Sequence, residues 1–451
     1  MATSSNEGEV ESHISDDIED PHTPLAISIR KMICSFHPIC DDRSICRAPT
    51  RLRTLNEKMY TPQNISLGPL HHGKKELATM EKLKPGYLKS FLNRTNMRLD
   101  DCISVIKKNK DTARSFYAEE LELTDDNFVT LLLVDSCFII EAIRRGTASD
   151  FHEKTDYLSS PELIRGVMTD MILLENQIPF FLLDDLYDIA FKDTKFLQLS
   201  MEYFSVLMPD ENLKRLGDNV LKCIYGDSKP KHFLDFIRTC HTVGTSRRKP
   251  GKEEELFTPI PSAAELKEAG IGFKTGSSDR LLDINYSNGV LKVPIIRVYD
   301  RSECVLRNLI ALEHCLYPFD SYVTDYINFM NKLIDTSKDV DLLVKKGIIK
   351  SGLSDNSAVA ALFNNLGMHV TLRSSDYYFH QVSADLNCYY NVRMHKWKAT
   401  FKRDYCKTPW MIASTVAAII LLALTLIQAI CSILILVGKY KNIQKSTTKS
   451  K

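Results

Sequence analysis

The feature that most constrains this chain is an uninterrupted apolar run near its C-terminus. Residues 410–437 read WMIASTVAAIILLALTLIQAICSILILV and include no charged side chain. A helix that packs on a soluble core needs one polar face, which this run cannot supply. A membrane-spanning helix needs about 20 apolar residues, and the run is longer than that. The sequence therefore predicts a single transmembrane helix over residues 409–437, with Trp410 at its start, Gln428 within it and Val437 at its end.

Basic residues flank the run on both sides. Six Lys and Arg lie between residues 393 and 407, and five Lys lie in the short basic tail, 438–451. The positive-inside rule needs an excess on one side, so it does not choose an orientation here. Since the N-terminus lacks a basic and apolar signal segment, we expect a single-pass protein of the plasma membrane or an endomembrane, with its large domain in the cytosol. The glycosylation sequons at Asn64, Asn93 and Asn285 would matter only if that domain faced outside.

The N-terminal segment has the opposite character. The first 22 residues hold seven acidic side chains and neither Lys nor Arg. Low hydrophobicity with a high net charge is typical of disorder, so we expect an acidic disordered tail over residues 1–25 and a folded domain over 26–405. The whole chain has 58 basic and 57 acidic residues, a balance that gives no reason to expect nucleic acid as a partner.

Apolar residues at helical spacing dominate the folded part. They predict a helix over residues 74–94, with a bend or break at Pro85, and a buried core helix over 128–143. Another amphipathic helix should end near Gln177, because Pro179 disfavours helix at the residue before it. Pro179 can itself open the next helix.

One segment carries a β signal. Residues 281–286 and 290–298 are rich in branched side chains and flank Asn288-Gly289, the preferred pair for a tight hairpin. Pro294 cannot donate to a ladder, so the second strand should lie at an edge or break there. A loop or linker near 242–259 precedes this segment, and helical spacing resumes after it. The predicted fold class is mainly α: a large helical soluble domain with one small β-hairpin element, plus a single C-terminal transmembrane helix.

Cysteine spacing argues against a metal site. Cys34, His37, Cys40 and Cys46 form the densest cluster of metal-type ligands, but zinc sites normally use two close pairs separated by a longer loop. No metal or cofactor is therefore predicted. The chain has twelve cysteines, and their spacing leaves both free thiols and disulfides open.

Few residues suggest catalysis. His71 and His72 are adjacent in a turn-like stretch, and Asp135 and the pair Asp184-Asp185 are the best acid candidates. A turn role for the histidines and a structural ion pair for the acids are the simpler interpretations. The chain has no Gly-x-Ser-x-Gly elbow, Walker-type phosphate loop, Gly-x-Gly-x-x-Gly or His-Glu-x-x-His.

A series of short motifs runs in a fixed order along the chain. They are YTPQNISLGPLHHG at 60–73, LENQIPFFLL at 174–183, IPSAAELKEAG at 260–270, LDIN at 282–285, NGVLKVP at 288–294, NLIALE at 308–313, DVDLL at 339–343 and Pro409-Trp410. From about residue 50 to the C-terminus, this series resembles the plant domain-of-unknown-function family 247. Leu70 is a departure, since the family has an aromatic residue before His-His-Gly.

The resemblance implies a plant protein with a mainly helical domain, one C-terminal span and no assigned catalytic residues. Some members of that family lie at grass self-incompatibility loci, where they are proposed as pollen-side determinants. A recognition role, such as pollen–pistil recognition, is thus what the resemblance implies here. The motif residues whose role it leaves open are Gly68, Pro69, His71, His72, Gly73, Glu175, Asn176, Gln177, Pro179 and Phe180.

Two functional hypotheses follow. The first is a non-enzymatic recognition or signalling protein held in a lipid bilayer, with a protein partner. Small residues four apart in the apolar run, and Gln428 beside Ser432, would also allow homo-oligomers through the span. The alternative is a membrane-tethered, hydrolase-like enzyme that uses His71 or His72 with a carboxylate.

Overall fold

The computed structural model describes most of the chain away from its N-terminus. The described residues are 24–34, 43–147, 158, 160–192, 195–207, 229–242, 245, 259–278, 280–368, 370, 377–392 and 409–448. Almost all of the predicted acidic tail and most of the predicted linker lie outside them. The chain divides into two compact units, Met1–Arg43 and Ser44–Lys451. In the first, the structure describes one helix, α1, over Pro24–Cys34.

Helices build the first part of the larger unit. The longest, α6, is buried along most of its length and packs against α3 and α4. The helices here are α2 (Thr50–Arg53), α3 (Ala78–Thr95), α4 (Leu99–Lys108), α5 (Lys110–Ser115), α6 (Asp125–Thr147), α7 (Pro161–Asp170), α8 (Phe180–Ala190) and α9 (Phe196–Tyr203), with 3-10 turns at Glu57–Met59, Lys75–Leu77 and Phe204–Leu207.

Two features of these helices differ from the sequence-based expectation. α3 continues without a break through Pro85, which is exposed on the helix. α7 ends at Asp170 and not near Gln177, because in the following turn a side chain replaces a backbone N–H as the hydrogen-bond donor. The Gln177 amide donates to the carbonyl of Met171 at 2.8 Å. α8 begins directly after Pro179, as predicted.

The second part of this unit is also helical, which confirms the mainly α fold class. α12 and α13 are buried on most sides and pack against each other and against α15. Ser262 and Thr336 form capping boxes with Glu265 and Asp339. The helices are α10 (Phe233–Thr242), α11 (Ala263–Glu268), α12 (Ser302–Leu316), α13 (Tyr322–Leu333), α14 (Ser337–Lys345), α15 (Asn356–Leu366) and α16 (His380–Asn391).

The predicted hairpin is present and belongs to a larger β element. β2 (Asn285–Ser287) and β3 (Val290–Val293) are antiparallel, and the turn residues Asn288 and Gly289 have φ of 51° and 73°. β1 (Gly272–Thr275) adds a parallel strand on the other edge of β3. The strand ends before Pro294. The next strand, β4 (Ile296–Val298), pairs in parallel with β5 (Ile349–Ser351) in a second sheet.

The apolar run lies in one long helix, α17, over Pro409–Thr448. Within the part of the chain that the structure describes, this is the one helix long and apolar enough to cross a bilayer, and none of its apolar segment Ala413–Ile430 is buried. The hydroxyls of Ser414, Thr425 and Ser432 donate to carbonyls of their own helix at 2.8 to 3.0 Å. Their polar groups therefore need no external partner in an apolar medium.

Candidate functional site

The two motif segments near the N-terminal side of the domain meet in its interior. The loop over residues 63–71 lies against α7 and the turn at 171–177. The carboxylate of Asp170 accepts hydrogen bonds from the backbone N–H groups of residues 63–65, at 3.1, 2.6 and 3.0 Å. A buried side chain thus supplies the backbone partners that this irregular loop lacks.

The Asn176 amide joins the same two segments. Its Oδ1 accepts from the Leu67 N–H at 2.7 Å, and its Nδ2 donates to the carbonyls of Ile65 and Asp170 at 3.0 and 2.9 Å. An amide carries donors and acceptors at one end, which suits a cross-link between two backbones. Its neighbour Gln177 binds the turn as described above, so both motif amides are used within the fold.

A buried ion pair supports the loop at Gly68. Asp135 on α6 and Lys84 on α3 are fully buried, with 2.6 Å between Nζ and Oδ1. Lys84 also donates to the Ser66 carbonyl at 2.6 Å, and the Gly68 N–H donates to Asp135 at 2.9 Å. Burial raises the pKa of Asp135, and the Lys84 ammonium opposes that rise. Gly68 has φ of +68°, and a Cβ there would lie 2.6 Å from the Gln177 carbonyl oxygen.

His71 and Glu175 are in contact, with 3.1 Å between Nε2 and Oε2. Only 1% of His71 and none of Glu175 is exposed. The Ala48 N–H at 3.0 Å and the guanidinium of Arg53 also donate to Glu175, and Arg47 lies 3.4 Å from it. We call Lys84, Asp135, Asp170, His71 and Glu175, with the loop 63–71 that they hold, the motif network.

Charge states in the motif network follow from burial and partners. Burial lowers the pKa of His71, so the ring is neutral and donates its Nε2–H to Glu175. Burial by itself would raise the pKa of Glu175, but hydrogen bonds from His71 and Arg53 hold it below its usual range. Glu175 is therefore an anion balanced by arginine. A general base must reach a substrate proton, and a neutral imidazole enclosed beside a balanced carboxylate is poorly placed for that.

The other predicted residues lie apart from this pair. His72 is exposed, and its Nδ1 lies 3.9 Å from the Glu81 carboxylate, whereas His71 contacts Glu175. The two histidines therefore do not share one ligand. Asp184 pairs with Lys229 at 2.8 Å, and Asp185 with the same lysine at 3.4 Å. These contacts are structural ion pairs of α8.

Three further motif residues shape the backbone or the core. The Pro69 carbonyl accepts from the His72 N–H at 3.3 Å, and Gly73 has φ of +79° with open space around it. Phe180 packs against Phe196 and Phe233, at ring-centroid distances of 5.5 and 5.7 Å. None of the three presents a reactive group.

The described residues contain no group of three or more His, Cys, Asp or Glu arranged to hold a metal. In the cluster around Cys34, His37 and Cys40 lie outside the described residues, and Cys46 is hydrogen-bonded to the Cys315 thiol. The cysteines with described side chains are free thiols: Cys46, Cys102, Cys137, Cys240, Cys304, Cys315 and Cys388.

Sequence reasoning missed the partners that complete the motif network. Lys84 lies on the apolar stripe of α3 between Met80 and Tyr87, where a solvated lysine is not expected. Its position, together with Asp135 on an apolar helix, was a usable signal for a buried ion pair. Arg53 and Glu175 lie 122 residues apart, and no local pattern links them.

The sequence model of DUF247, described as a plant protein of unknown function, matches residues 45–424. The UPF0481 protein At3g47200 of Arabidopsis thaliana is 26% identical over 418 residues, covering 86% of each chain. The putative UPF0481 protein At3g02645 of the same plant is 24% identical over 481 residues, covering 85% of this chain and 89% of its own. No solved structure matches.

Proposed function

Since the chain belongs to the DUF247 family of plant proteins of unknown function, we propose that it is a non-enzymatic recognition or signalling protein anchored in a membrane by α17. In this role the helical domain presents a fixed surface to a protein partner. The family resemblance implies pollen–pistil recognition as one specific form, which would require the domain to face outside.

The observation that carries the proposal is the use of the motif residues inside the fold. Asp135, Asp170 and Glu175 all bind backbone N–H groups of loops, and Asp135 and Glu175 also pair with basic side chains. Catalytic groups must face a substrate, whereas these groups hold a loop in one conformation. A chain that uses these residues to hold a mostly buried loop in one conformation suits a rigid recognition scaffold better than turnover.

The enzyme alternative has one supporting contact, the His71–Glu175 pair. His71→Gln separates the two hypotheses, because its amide can still donate to Glu175 but cannot act as a base. We expect a plant that lacks this protein to be complemented normally by His71→Gln. His72→Gln, at an exposed position, tests the other histidine that the enzyme hypothesis names. Lost complementation by His71→Gln, at normal abundance and melting temperature, would favour the enzyme.

Membrane anchoring rests on the exposed apolar surface of α17. Full-length protein should stay with membranes in alkaline carbonate, and Leu421→Arg/Leu422→Arg should release it, since Arg at the centre of a span costs about 2.5–3.5 kcal/mol by insertion scales. Both leucines are largely exposed, at 65% and 70%, so the change does not touch a core. Full-length protein released by carbonate would reject the anchor.

The side on which the domain lies decides which partners it can meet. Asn93 and Asn285 are exposed, whereas Asn64 lies partly buried against Gly166, so only the first two can accept a glycan in the folded protein. We expect a cytosolic domain, digested by protease added outside sealed endoplasmic reticulum vesicles and insensitive to glycosidase. A protected domain, glycosylated at Asn285, would place it outside, where pollen–pistil recognition needs it.

Self-association through the span is a further part of the proposal. Because the hydroxyls of Ser414, Thr425 and Ser432 are bonded within the helix, Gln428 is the side chain best suited to bond another helix. Gln428→Leu should weaken self-association in a membrane two-hybrid assay, and Ser432→Ala should not. Equal association of both variants with the native span would remove this part.

A further inference from the structure

A cavity of about 130 Å³ lies in the second part of the domain, away from the motif residues in sequence. It is formed where β4 passes α10, α12, α13 and α15. Most of its wall is apolar and comes from Val298, Val305, Leu306, Leu362 and Phe363, with others. A mostly apolar hollow with a few polar groups is the usual make-up of a small-molecule site.

Three polar side chains on its wall have buried atoms without hydrogen-bond partners. They are both ring nitrogens of His241, the hydroxyl of Tyr326 and Nη1 of Arg301. His241 is 7% exposed and Tyr326 is 2% exposed. Buried polar atoms are nearly always paired in folded proteins. Other unpaired buried atoms are found elsewhere in the described residues, but these three side chains line one cavity, where a single ligand could reach them all.

In their protonation states, these three side chains can all donate hydrogen bonds. Burial lowers the pKa of His241 to about 4, and a contact of the ring with the Leu207 backbone, outside the geometry of a full hydrogen bond, opposes this. The neutral ring therefore offers one N–H and one acceptor. Burial raises the pKa of Tyr326, which keeps its hydroxyl protonated. Arg301 adds a permanent positive charge. Among the described residues, no Asp or Glu lines the cavity. The cavity therefore has donors and a cation without a matching anion.

Its size limits the ligand. An engineered cavity of about 150 Å³ in another protein holds one benzene molecule. We propose that this cavity binds a small carboxylic acid whose apolar body is about the size of one aromatic ring. The carboxylate lies at Arg301 and Tyr326, His241 donates a further hydrogen bond, and the ring lies against Val298, Leu362 and Phe363. This inference is independent of the recognition role proposed above.

The test uses full-length protein in lipid nanodiscs with 4-fluorobenzoate, observed by fluorine NMR against empty nanodiscs. We expect saturable binding to the native chain. Arg301→Leu should weaken it by about tenfold or more, because a charge-assisted hydrogen bond in a low-dielectric site is lost. Tyr326→Phe, which keeps the ring, should weaken it about threefold to tenfold and covers the case in which Arg301→Leu does not fold.

Two controls make the result specific. Arg297 also lines the cavity but is exposed, so Arg297→Leu should change the affinity by less than about twofold. The neutral 4-fluorotoluene should bind the protein more weakly than 4-fluorobenzoate. The proposal is overturned by an absence of saturable binding, by equal losses in Arg297→Leu and Arg301→Leu, by unchanged binding in Tyr326→Phe, or by equal affinity for the two probes.

Discussion

The motif network and the cavity both bury polar groups in an apolar interior, but they differ in how far the charged and hydrogen-bonding groups are paired. In the motif network, each carboxylate has partners: Lys84 and a backbone N–H for Asp135, backbone N–H groups for Asp170, and arginine, histidine and a backbone N–H for Glu175. On the cavity wall, His241 and Tyr326 have none for their polar side-chain atoms.

This difference determines what each region can do. In the motif network the carboxylates are paired, although Nδ1 of His71 and Oγ of Ser66 have no hydrogen-bond partner. A network with paired charges is strong in a low-dielectric interior, and it fixes one arrangement of its members. Unpaired buried donors can still form hydrogen bonds, so a ligand that supplies acceptors is bound more favourably. The motif residues therefore serve the fold, and the cavity, which no sequence motif marked, is the region with unused chemistry.

The largest expected effect comes from opening the motif network. Lys84→Met keeps most of the side-chain volume but leaves the buried Asp135 carboxylate without its cation. We expect the free energy of unfolding in urea to fall by about 3–5 kcal/mol. The double variant Lys84→Met/Asp135→Leu should recover part of that loss, since no charge then remains unpaired. A loss below about 1 kcal/mol in the single variant would mean that the pair is not buried in solution.

A second prediction compares the two motif glycines. Both have positive φ, which costs an L-residue about 1–2 kcal/mol. Gly73→Ala should lose only that amount, because nothing lies within 4 Å of the added Cβ. Gly68→Ala should lose about 3 kcal/mol or more, because its Cβ would meet the Gln177 carbonyl at 2.6 Å. Equal losses in urea unfolding would show that the loop does not press against the turn at 171–177.

The fold was predictable where local patterns decide it. The spacing of apolar residues located α6, α12 and α13, and Asn288-Gly289 located the hairpin, because periodicity and positive φ are local properties. The pairing of β4 with β5 joins residues 296 and 349, and nothing local in the sequence encodes it. The contacts of Asp170 and Asn176, at the end of α7 and in the turn after it, with a loop more than 100 residues earlier are likewise not encoded locally.

The candidate sites were less predictable than the fold. The sequence picked out His71 as a motif residue and as a candidate base with an unnamed carboxylate, but Glu175 only as a motif residue of open role. Their contact spans 104 positions. Asp135 was correctly given a structural ion pair as its simpler interpretation. The cavity had no sequence signal at all, since His241, Arg301 and Tyr326 are single polar residues on three different segments.

A third prediction compares two buried histidines, His232 and His241. His232 has both nitrogens bonded, to the Ser44 carbonyl at 3.0 Å and the Asp235 N–H at 3.2 Å, whereas His241 has neither bonded. His232→Phe should lower the free energy of unfolding by about 2 kcal/mol, because it strands two buried backbone groups. His241→Phe should change it by less than about 1 kcal/mol in either direction. Similar losses in the two variants would mean that His241 has a partner in solution and would weaken the contrast between the regions.

The smallest expected effect is a change in pH dependence. Burial lowers the pKa of both His232 and His241 to about 4, against about 6.5 in the unfolded chain. The unfolded state therefore binds more protons, and each histidine should lower stability by about 0.8 kcal/mol between pH 8 and pH 6. His241→Phe should remove one such contribution from urea unfolding curves measured at the two pH values. If the slope of the variant equals that of the native chain, the pKa of His241 is not lowered in the folded state. If the variant loses more stability than the native chain between pH 8 and pH 6, the His241 ring is protonated in the folded state. A protonated imidazole beside Arg301 would require an anion in the cavity, so that result would correct the neutral ring while strengthening the case for an acidic ligand.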